Sequence, residues 1–359
     1  MTDRTEPSVI ERVLRNVKRP FRHAIRHRAQ VREQLHWSRV EWDIEREIER
    51  VAQGGHMVLV GPWLSEVGFE ALYWIPFLRW VKTAFRLDPS RVVAVSRGGV
   101  ASWYEDVASR YIDVWDEFDS AQFAARTAER GAMKQSGVHD FDREVIAAVE
   151  RRVGARVDVL HPSLMFRLFS MFWSGHKPMS FVDGHTRFAL HRAPSEIDPS
   201  LLPAEYVAVK LYFGLTLADT PEHRRALSSL VAGLAEQTPV VLLDTGLVVD
   251  EHIDYEFRAG RVISARPWMT PRNNLGVQTQ IIAGARAFVG TCGSVAWLAP
   301  MLGVDTSALY VRPNTLHAHL AVALRMYQRM NAAQFATVDL RALDDCFGWR
   351  RDHESAGAS

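Results

Sequence analysis

Short apolar runs alternate with longer amphipathic stretches over most of the chain. Apolar runs of this length are typical of buried parallel strands. The predicted strands are Met57–Val60, Arg91–Ser96, Ile112–Phe118, Val157–Leu160, Tyr206–Leu211, Val240–Leu243, Val262–Ser264, Ala287–Val289 and Ser307–Val311. The predicted helices in the second half are Glu222–Glu236, Leu275–Ala285, Ser294–Leu302 and Leu316–Asn331. Strands that alternate with helices predict parallel α/β sheets.

A stretch rich in Gly, Pro, His and Ser divides this pattern into two halves. It covers residues 174–203, and we interpret it as a linker. A chain of 359 residues can hold two domains, because single cores rarely grow past about 250–300 residues. We therefore expect one α/β domain over residues 51–190 and a second over residues 204–345. Ligands of such sheets bind beyond the carboxyl ends of the strands, so a cleft between the domains is the expected site.

Residues 1–50 form a distinct N-terminal arm. Between Met1 and Val40, ten Arg and Lys stand against four Asp and Glu. Apolar side chains recur there at helical spacing, and Pro20 is expected to kink or split the helix. The apolar set is Ile10, Leu14, Val17, Phe21 and Ile25. A basic amphipathic helix can lie on an anionic membrane surface, and the alternative is a solvated helix packed on the main body.

Composition and charge limit the partners and the cellular location that can be expected for this protein. The formal net charge of +1 indicates no nucleic-acid partner. Two cysteines, Cys292 and Cys346, are too few for a disulfide framework and favour a reducing compartment. No apolar run is long enough to span a membrane, and no signal-peptide core follows the N-terminal charges. The expected location is cytoplasmic, with possible peripheral contact at the inner membrane face through residues 1–40.

The clearest chemical signal is the turn Gly290-Thr291-Cys292-Gly293-Ser294, after the apolar run Ala287–Val289. Small residues allow the backbone to approach a ligand, and the start of the following helix leaves N–H groups without intrahelical partners. These donors favour an anion, most often phosphate. The alternative is an ordinary strand-to-helix turn capped by Ser294.

Two segments resemble known glycosyltransferases. Residues Asn274 to Gln278 with Gly284–Gly303, GARAFVGTCGSVAWLAPMLG, resemble the nucleotide-sugar-binding domain of GT-B glycosyltransferases, for which a G-T-x-G-S turn and an LAP-LGV helix are typical. Glu70–Leu78, EALYWIPFL, resembles the first helix of bacterial heptosyltransferase-like enzymes, in which an acid precedes P-x-L by the same spacing. That family usually has Gly directly before its acid, whereas here Phe69 separates Gly68 from Glu70.

The resemblance covers about residues 57–82 and 206–312. It implies two Rossmann-like domains facing a cleft, with the basic helical arm as an addition. It also implies a transferase whose donor substrate is a nucleoside-diphosphate sugar, with no cofactor, and an inverting, metal-independent reaction. The acceptor class it implies is a glycan or lipid-linked acceptor of bacterial cell-envelope or capsule polysaccharide.

Glycosyl transfer needs a base for the acceptor hydroxyl proton. The resemblance gives this role to Glu70, in the first turn of a helix predicted to point into the cleft. A first-turn carboxylate can also merely favour the helix dipole. Glu66, four residues earlier, is the alternative base. His161, after the fourth predicted strand, is a weaker candidate, for which a structural role is favoured.

The donor needs partners for its diphosphate and nucleoside. The backbone of Thr291, Cys292, Gly293 and Ser294 is the expected diphosphate cradle. Lys210, at the end of a strand, could neutralise the leaving phosphates. The residues that could contact base or ribose are Asp244, Arg266, Asn274 and Gln278. Lys210 could instead be a solvated strand-end lysine, and Asp244 could instead cap the loop.

Several other features carry less weight. The aromatics near the first strands could stack on a sugar, although aromatics in apolar helices more often form core; they are Trp63, Tyr73, Trp74, Trp103 and Tyr104. Asp140-Phe141-Asp142 matches the D-x-D metal motif of a different glycosyltransferase fold, but no apolar strand precedes it. No His/Cys cluster has zinc spacing, so no metal is expected.

Two other functions fit the same pattern. A sugar-nucleotide epimerase would share the fold but need additional acids in the cleft and no acceptor. A catalytically inactive GT-B-like protein would act as a binding or scaffold subunit. The sequence disfavours a dinucleotide dehydrogenase, because no G-x-G-x-x-G follows either first strand, and a serine hydrolase, because no G-x-S-x-G elbow is present.

Overall fold

The structure is a computed structural model. It describes residues 9–130, 134–247, 253–258, 260–312 and 316–342, with side chains from residue 27 onward except residues 29 and 30. Cys346 lies outside the described residues.

The first sheet has four strands, all parallel, in the order β3-β2-β1-β4. The strands are β1 (Met57–Val60), β2 (Val92–Ser96), β3 (Arg110–Asp113) and β4 (Val157–Leu160). Val58 pairs with Val92 on one side and Asp158 on the other, so β1 is central. Two central strands of Val, Leu and Ala are buried on both faces, which explains their continuous apolar runs.

The second sheet has six strands, all parallel, in the order β12-β11-β10-β5-β7-β9. The strands are β5 (Val207–Lys210), β7 (Val240–Leu242), β9 (Val262–Ser264), β10 (Ala287–Thr291), β11 (Thr306–Tyr310) and β12 (Phe335–Asp339). A short antiparallel pair is formed by β6 (Tyr212–Phe213), which follows the carboxyl end of β5, and β8 (Ile253–Asp254). Numbered within this half, the parallel strands follow the Rossmann order 3-2-1-4-5-6, and the first sheet follows its first four positions, 3-2-1-4.

The helices fill the connections between strands. They are α1 (Val9–Gln53), α2 (Val67–Phe69), α3 (Ile75–Ala84), α4 (Ser120–Arg130), α5 (Asp140–Val153), α6 (Pro162–Trp173), α7 (Met179–Gly184), α8 (Pro221–Gln237), α9 (Asn274–Ala283) and α10 (His317–Met330). A π-helical turn, Glu70–Trp74, joins α2 to α3. The expected fold class, two Rossmann-like α/β domains with an N-terminal helical arm, is confirmed by this topology.

Most predicted strands lie within one or two residues of their observed positions. The exception is Ile112–Phe118: β3 ends at Asp113, and Val114–Asp116 is a 3-10 turn. The Asp113 carboxylate accepts the Trp115 N–H at 2.9 Å, which caps this turn and stops the strand. The sequence patterns also missed β12 and the helical nature of the aromatic run that forms α6.

The N-terminal arm is one helix, and the expected split at Pro20 is wrong. Helix α1 runs from Val9 to Gln53 without interruption. Its last turns bury Ile44, Ile48 and Val51 against the first domain. No helix among the described residues is both long and apolar enough to cross a bilayer.

The two domains pack on each other through one shared hydrophobic cluster, and each also has a smaller cluster of its own. The shared cluster includes Trp74 and Phe169 of the first half together with Ile281 and Trp297 of the second. Residues 174–203 are an ordered connection, since the Arg187 N–H donates to Pro76 O and the His191 N–H donates to Met301 O. The domain ranges 51–190 and 204–345 stay predictions, because the largest cluster crosses between the two halves.

Candidate active site

The site lies at the carboxyl end of the second sheet, where strand order reverses between β5 and β10. Lys210 ends β5 and pairs in register with Gly290 of β10. The predicted turn Thr291–Ser294 therefore lies beside Lys210. This switch point is where ligands of open α/β sheets bind.

The turn differs from the prediction in one respect. Ser294–Leu302 is not an α-helix but two 3-10 turns, Ser294–Trp297 and Ala299–Leu302. Pro300 has no N–H to donate four residues back, and the N–H groups of Leu298 and Met301 instead bond three residues back. Without a long helix, the turn has no helix macrodipole to attract an anion, and only its backbone N–H groups remain.

The backbone at the turn is strained in a way that opens it to the cleft. Gly293 has φ 127° and Ser294 has φ 44°, a left-handed conformation uncommon for a serine. A Cβ on Gly293 would come within 2.7 Å of the Tyr212 hydroxyl. Strained backbone of this kind concentrates at ligand sites.

The N-terminal domain closes directly over this turn. A Cβ on Gly68 of α2 would lie 2.9 Å from both the Ser294 nitrogen and the Trp297 ring. Gly68 thus allows the start of α2 to pack on the Gly293–Ser294 turn. The two predicted ligand-binding segments, one in each domain, are brought together.

A cavity of about 400 Å³ lies between the domains at this contact. The first domain contributes Glu66, Gly68, Phe69, Leu72, Tyr73 and Lys134, among others. The second contributes Tyr212, Gly214, Thr216, Cys292, Gly293, Ser294, Trp297 and His319, among others. Its size falls in the range of small-molecule sites.

A smaller polar cavity of about 80 Å³ adjoins it and shares Val67, Tyr212 and Ser294 with it. Two cations line this cavity, Arg97 from the first domain and Lys210 from the second, together with one carboxylate, Asp254. Arg97 donates to Ser65 O at 2.8 Å, and Lys210 pairs with Asp254 at 2.6 Å. The cations outnumber the carboxylate, so the small chamber is suited to an anion.

Arg97 was not predicted as a site residue. It follows β2 in the segment Arg97-Gly98-Gly99, at the carboxyl end of a strand. The rule that ligands bind beyond such ends could have identified it.

Glu66 and Glu70 occupy different environments. Glu66 precedes α2 and lines the larger cavity. Glu70 begins the π-helical turn, in which the Ile75 N–H donates five residues back to Glu70 O, and its side chain is fully buried. Glu70 is absent from the walls of both interdomain cavities. These positions do not test either catalytic role, and both stay predictions.

Glu70 lies in a buried polar cluster behind the cavity. Its Oε1 accepts from the Ser96 hydroxyl and the Tyr104 hydroxyl, each at 2.5 Å, whereas its Oε2 has no hydrogen-bond partner in the structure. Burial raises the pKa of Glu70 to about 7, although the two hydrogen bonds and Arg97 oppose this shift. Nearby, burial raises the pKa of Asp113 to about 6, while hydrogen bonds from Gly99, Trp115 and Tyr111 oppose the rise.

The start of α9 serves the domain contact. The N–H groups of Leu275 and Gly276 both donate to Gly98 O, at 2.9 and 3.0 Å. Asn274 and Gln278 line the smaller cavity, as the prediction requires for ligand contact. Asn274 donates to Pro271 O and Gln278 to Asn274 O, and the buried Oε1 of Gln278 has no hydrogen-bond partner in the structure. That oxygen can accept from a ligand.

Asp244 and Arg266 lie next to each other, but neither lines one of the two interdomain cavities. Their Oδ2 and Nε atoms lie 3.3 Å apart, Ser264 donates to Asp244, and Arg266 also pairs with Glu256. They line a separate surface pocket beyond β9. Their predicted contact with base or ribose stays a prediction.

Thr291 and Cys292 are buried at the start of the turn. The Thr291 hydroxyl bonds the backbone N–H and carbonyl of Tyr212, both at 3.0 Å, and so joins β10 to β6. Burial raises the pKa of the Cys292 thiol to about 12, so the thiol stays protonated. Of the predicted cradle, Cys292, Gly293 and Ser294 line the larger cavity.

His319 and Lys134 are cavity residues that no sequence signal marked. His319 Nδ1 lies 2.7 Å from the Tyr73 hydroxyl. Burial and the charge of Lys134 lower the pKa of His319 to about 4, so its imidazole is neutral at pH 7. Lys134 Nζ lies 4.9 Å from the Phe69 ring centroid.

The remaining candidates have structural partners. His161 Nδ1 accepts the Ser163 N–H and caps α6, and its Nε2 lies 3.4 Å from Asp142. Asp142 of the D-x-D segment is buried and bonds Gln135 and the His139 N–H. Of the aromatics, Trp63, Trp74, Trp103 and Tyr104 are buried in the core, and Tyr73 reaches the cavity.

No protein-family model matches the chain, and no curated protein matches it. Solved structures match it remotely. A glycosyl transferase family 9 protein from Veillonella parvula is 11% identical with a TM-score of 0.44, over 84% of this chain and 90% of that one. The E. coli heptosyltransferase WaaC with ADP is 14% identical with a TM-score of 0.39, over 81% and 98%. A putative UDP-N-acetylglucosamine 2-epimerase from Listeria monocytogenes is 10% identical with a TM-score of 0.33, over 81% and 88%. Likenesses this remote do not assign a function, which has to rest on the chain's own residues.

Proposed function

We propose that this protein is a glycosyltransferase that moves a sugar from a nucleoside-diphosphate sugar to an acceptor hydroxyl. The observation that supports this most is the pair of adjoining cavities at the switch point, one small with two cations and one larger with a carboxylate. A glycosyl donor has the same two parts, a diphosphate and a neutral sugar. Both domains contribute to both cavities, so the donor would bridge them.

The diphosphate would bind in the smaller cavity. Arg97 and Lys210 would stabilise the charge that develops on the departing diphosphate, together with backbone N–H groups at Gly293 and Ser294. Asp254 would remain the partner that orients Lys210, since burial disfavours its charge but Lys210 and Thr245 outweigh this and lower its pKa. Gln278 Oε1 is the acceptor available to a ligand hydroxyl or amine.

The acceptor hydroxyl would enter the larger cavity beside Glu66. Its proton passes to the Glu66 carboxylate, its oxygen forms the bond to the anomeric carbon, and the bond from that carbon to the diphosphate oxygen breaks. A single displacement of this kind inverts the anomeric centre and uses no metal. Tyr73 and His319 would orient the sugar through their hydroxyl and imidazole.

Glu70 would act without contacting substrate. It is one turn behind Glu66, and its carboxylate accepts from Tyr104 and from Ser96, the last residue of β2. The residue after Ser96 is Arg97. We therefore assign Glu70 as a positioning residue for Arg97, and Glu66 as the base.

The acceptor class and location follow from the arm and the resemblance. A glycan or lipid-linked acceptor at the inner membrane face suits a cytoplasmic protein with a basic helix over residues 1–40. The basic segment of α1 would contact anionic lipids. Membrane recovery should be compared between the full chain and a protein that lacks residues 1–40. If both are recovered with membranes to the same extent, this part of the proposal is wrong.

A thermal-shift screen against UDP, GDP, ADP, CMP and dTDP tests the donor site. A nucleotide at 100 times its dissociation constant stabilises the folded state by about 2.7 kcal/mol. We expect one nucleotide to stabilise the wild type, and Arg97→Gln and Lys210→Gln to weaken this effect. Arg152→Gln and Lys82→Gln are the matched controls, because these residues line neither cavity.

The other two functions give different outcomes. An epimerase would interconvert a nucleotide sugar without an acceptor. A binding subunit would bind nucleotide but release no nucleoside diphosphate from any donor. If no nucleotide stabilises the wild type, the proposal fails.

A further inference from the structure

Helix α1 contacts the rest of the protein through a cluster of three side chains that does not belong to the cleft. Glu41 and Glu45 lie one turn apart on the same face of α1, and both face His185, which follows α7. The three side chains each offer one atom, and these atoms all lie within 4.8 Å of one another. None of the three lines either interdomain cavity.

The outward-facing atoms of the cluster have their own partners. His185 Nδ1 lies 2.8 Å from the Phe181 carbonyl oxygen, to which it must donate. Glu41 Oε2 accepts from Lys177 Nζ at 2.5 Å. Contacts of this kind orient metal ligands in proteins, because they fix the tautomer of a histidine and the rotation of a carboxylate.

The inward-facing atoms need a cation between them. With its proton on Nδ1, a neutral His185 directs the Nε2 lone pair at Glu45 Oε1, 3.3 Å away, and at Glu41 Oε1, 3.8 Å away. Lone pairs that face each other repel, so either a proton or a metal ion must lie between them. A charged N–H···O bond is shorter, about 2.7–2.9 Å. Ligand atoms around tetrahedral zinc, with bonds of about 2.0–2.1 Å, are about 3.4 Å apart.

The surroundings favour a bound ion over a solvated pair. His185 is 8% exposed, and its ring packs against Trp80 at 4.8 Å and Phe181 at 4.3 Å. The two glutamates are only partly buried, so an ion can enter from solvent and keep a water as its fourth ligand.

We propose that Glu41, Glu45 and His185 bind one divalent transition-metal ion, with zinc as the class that this ligand set suits best. The ion would tie α1 to the segment that follows α7. It would supplement the pairs Glu47–Arg167 and Glu33–His176, which join α1 to α6 and to the segment that follows α6. The role is structural and independent of the proposed transferase activity.

Calorimetric titration of the metal-stripped full chain with Zn²⁺ tests the site, and Co²⁺ absorption reports the ligand geometry. We expect one ion per chain with a tetrahedral Co²⁺ spectrum, and Glu45→Gln and His185→Gln to weaken binding at least about tenfold. Glu33→Gln is the matched control, because Glu33 also lies on α1 and pairs with a histidine, His176, outside the proposed site. In this variant the affinity for Zn²⁺ should change less than twofold. Saturating Zn²⁺ should also raise the melting temperature of the wild type and not of Glu45→Gln.

Two results would overturn the proposal. One is the absence of stoichiometric binding by the wild type, which would leave the cluster as a protonated ion-pair network. The other is equal binding by the wild type and Glu45→Gln. Because Glu45 is partly exposed, its variant should fold even if His185→Gln does not.

Discussion

The cavity around Glu66 and the buried cluster around Glu70 are one helical turn apart, yet they differ in burial and in access to the cleft between the domains. Glu66 reaches a cavity shared by both domains, with Tyr73, His319 and the Gly293–Ser294 turn on its other walls. Glu70 is fully buried, and hydrogen bonds hold one of its oxygens. A carboxylate that receives a substrate proton has to reach the substrate, and of these two acids only Glu66 lines the interdomain cavity.

The backbone at Glu66 accounts for the difference. Glu66 is the N-cap of α2 and has an extended conformation, with φ −64° and ψ 138°. Glu70 is helical, its N–H donates to Glu66 O, and its carboxylate accepts from Ser96 at the end of β2. Two acids four residues apart inside one α-helix would share a face, whereas here Glu66 lies outside the helix.

The largest effect should come from removing each carboxylate in turn. Glu66→Gln should lower the rate of nucleoside diphosphate release from the donor by about 10²–10⁴-fold, because a general base contributes about this much. Glu70→Gln should lower it less than tenfold. Steady-state kinetics with the donor found by nucleotide screening measures both, and a greater loss in Glu70→Gln would reverse the assignment.

The second-largest effect should be on the pH dependence of folding stability, which the buried Glu70 should change. Burial raises the pKa of Glu70 from 4.5 to about 7, so between these values the folded state holds a proton that the unfolded state has lost. Stability should therefore fall as pH rises through this window, by on the order of 3 kcal/mol. Glu70→Gln has no such proton.

Urea unfolding at pH 5 and pH 8 measures this difference. The wild type should lose more stability between the two values than Glu70→Gln does. Equal losses in the two proteins would mean that Glu70 is ionised and solvated in the folded state.

A smaller effect should come from the contact that lies between the two regions. Gly68→Ala puts a Cβ 2.9 Å from the Ser294 nitrogen and the Trp297 ring, so it should cost about 1–3 kcal/mol of stability and weaken nucleotide binding. Gly233→Ala, in α8 with nothing near its Cβ, is the control and should stabilise slightly. Chemical denaturation of both variants measures the cost, and a neutral Gly68→Ala would show that the domains do not close there.

Much of this fold could be predicted from the sequence. Buried parallel strands leave apolar runs, which located most strands, and the G-T-C-G-S turn and the resemblance identified the segments that meet in the cleft. The 3-10 turns after Ser294 were missed because the apolar pattern outweighed Pro300. Which acid faces the cavity could not be predicted, since it depends on the extended backbone at Glu66, which leaves no periodic signal.

The cavity residues from distant segments were also beyond the sequence patterns. Lys134 and His319 reach the site only through the packing of one domain on the other. Asp244 and Arg266 fulfil the sequence criterion of strand-end position, but the sheet carries them to a different pocket. The position of a residue along the chain predicts which edge of the sheet it lies at. It does not predict which residue of the other domain lies opposite it across the cleft.

The most direct test of the account is the affinity of the stabilising nucleoside diphosphate, measured by calorimetry for the wild type, Arg97→Gln and Glu70→Gln. If the diphosphate binds in the small cavity, loss of a charged contact should weaken binding about 10–100-fold in Arg97→Gln. Glu70→Gln should weaken it less, because Glu70 acts only through Arg97. Unchanged affinity in Arg97→Gln, or a greater loss in Glu70→Gln, would contradict the claim that the diphosphate lies between Arg97 and Lys210.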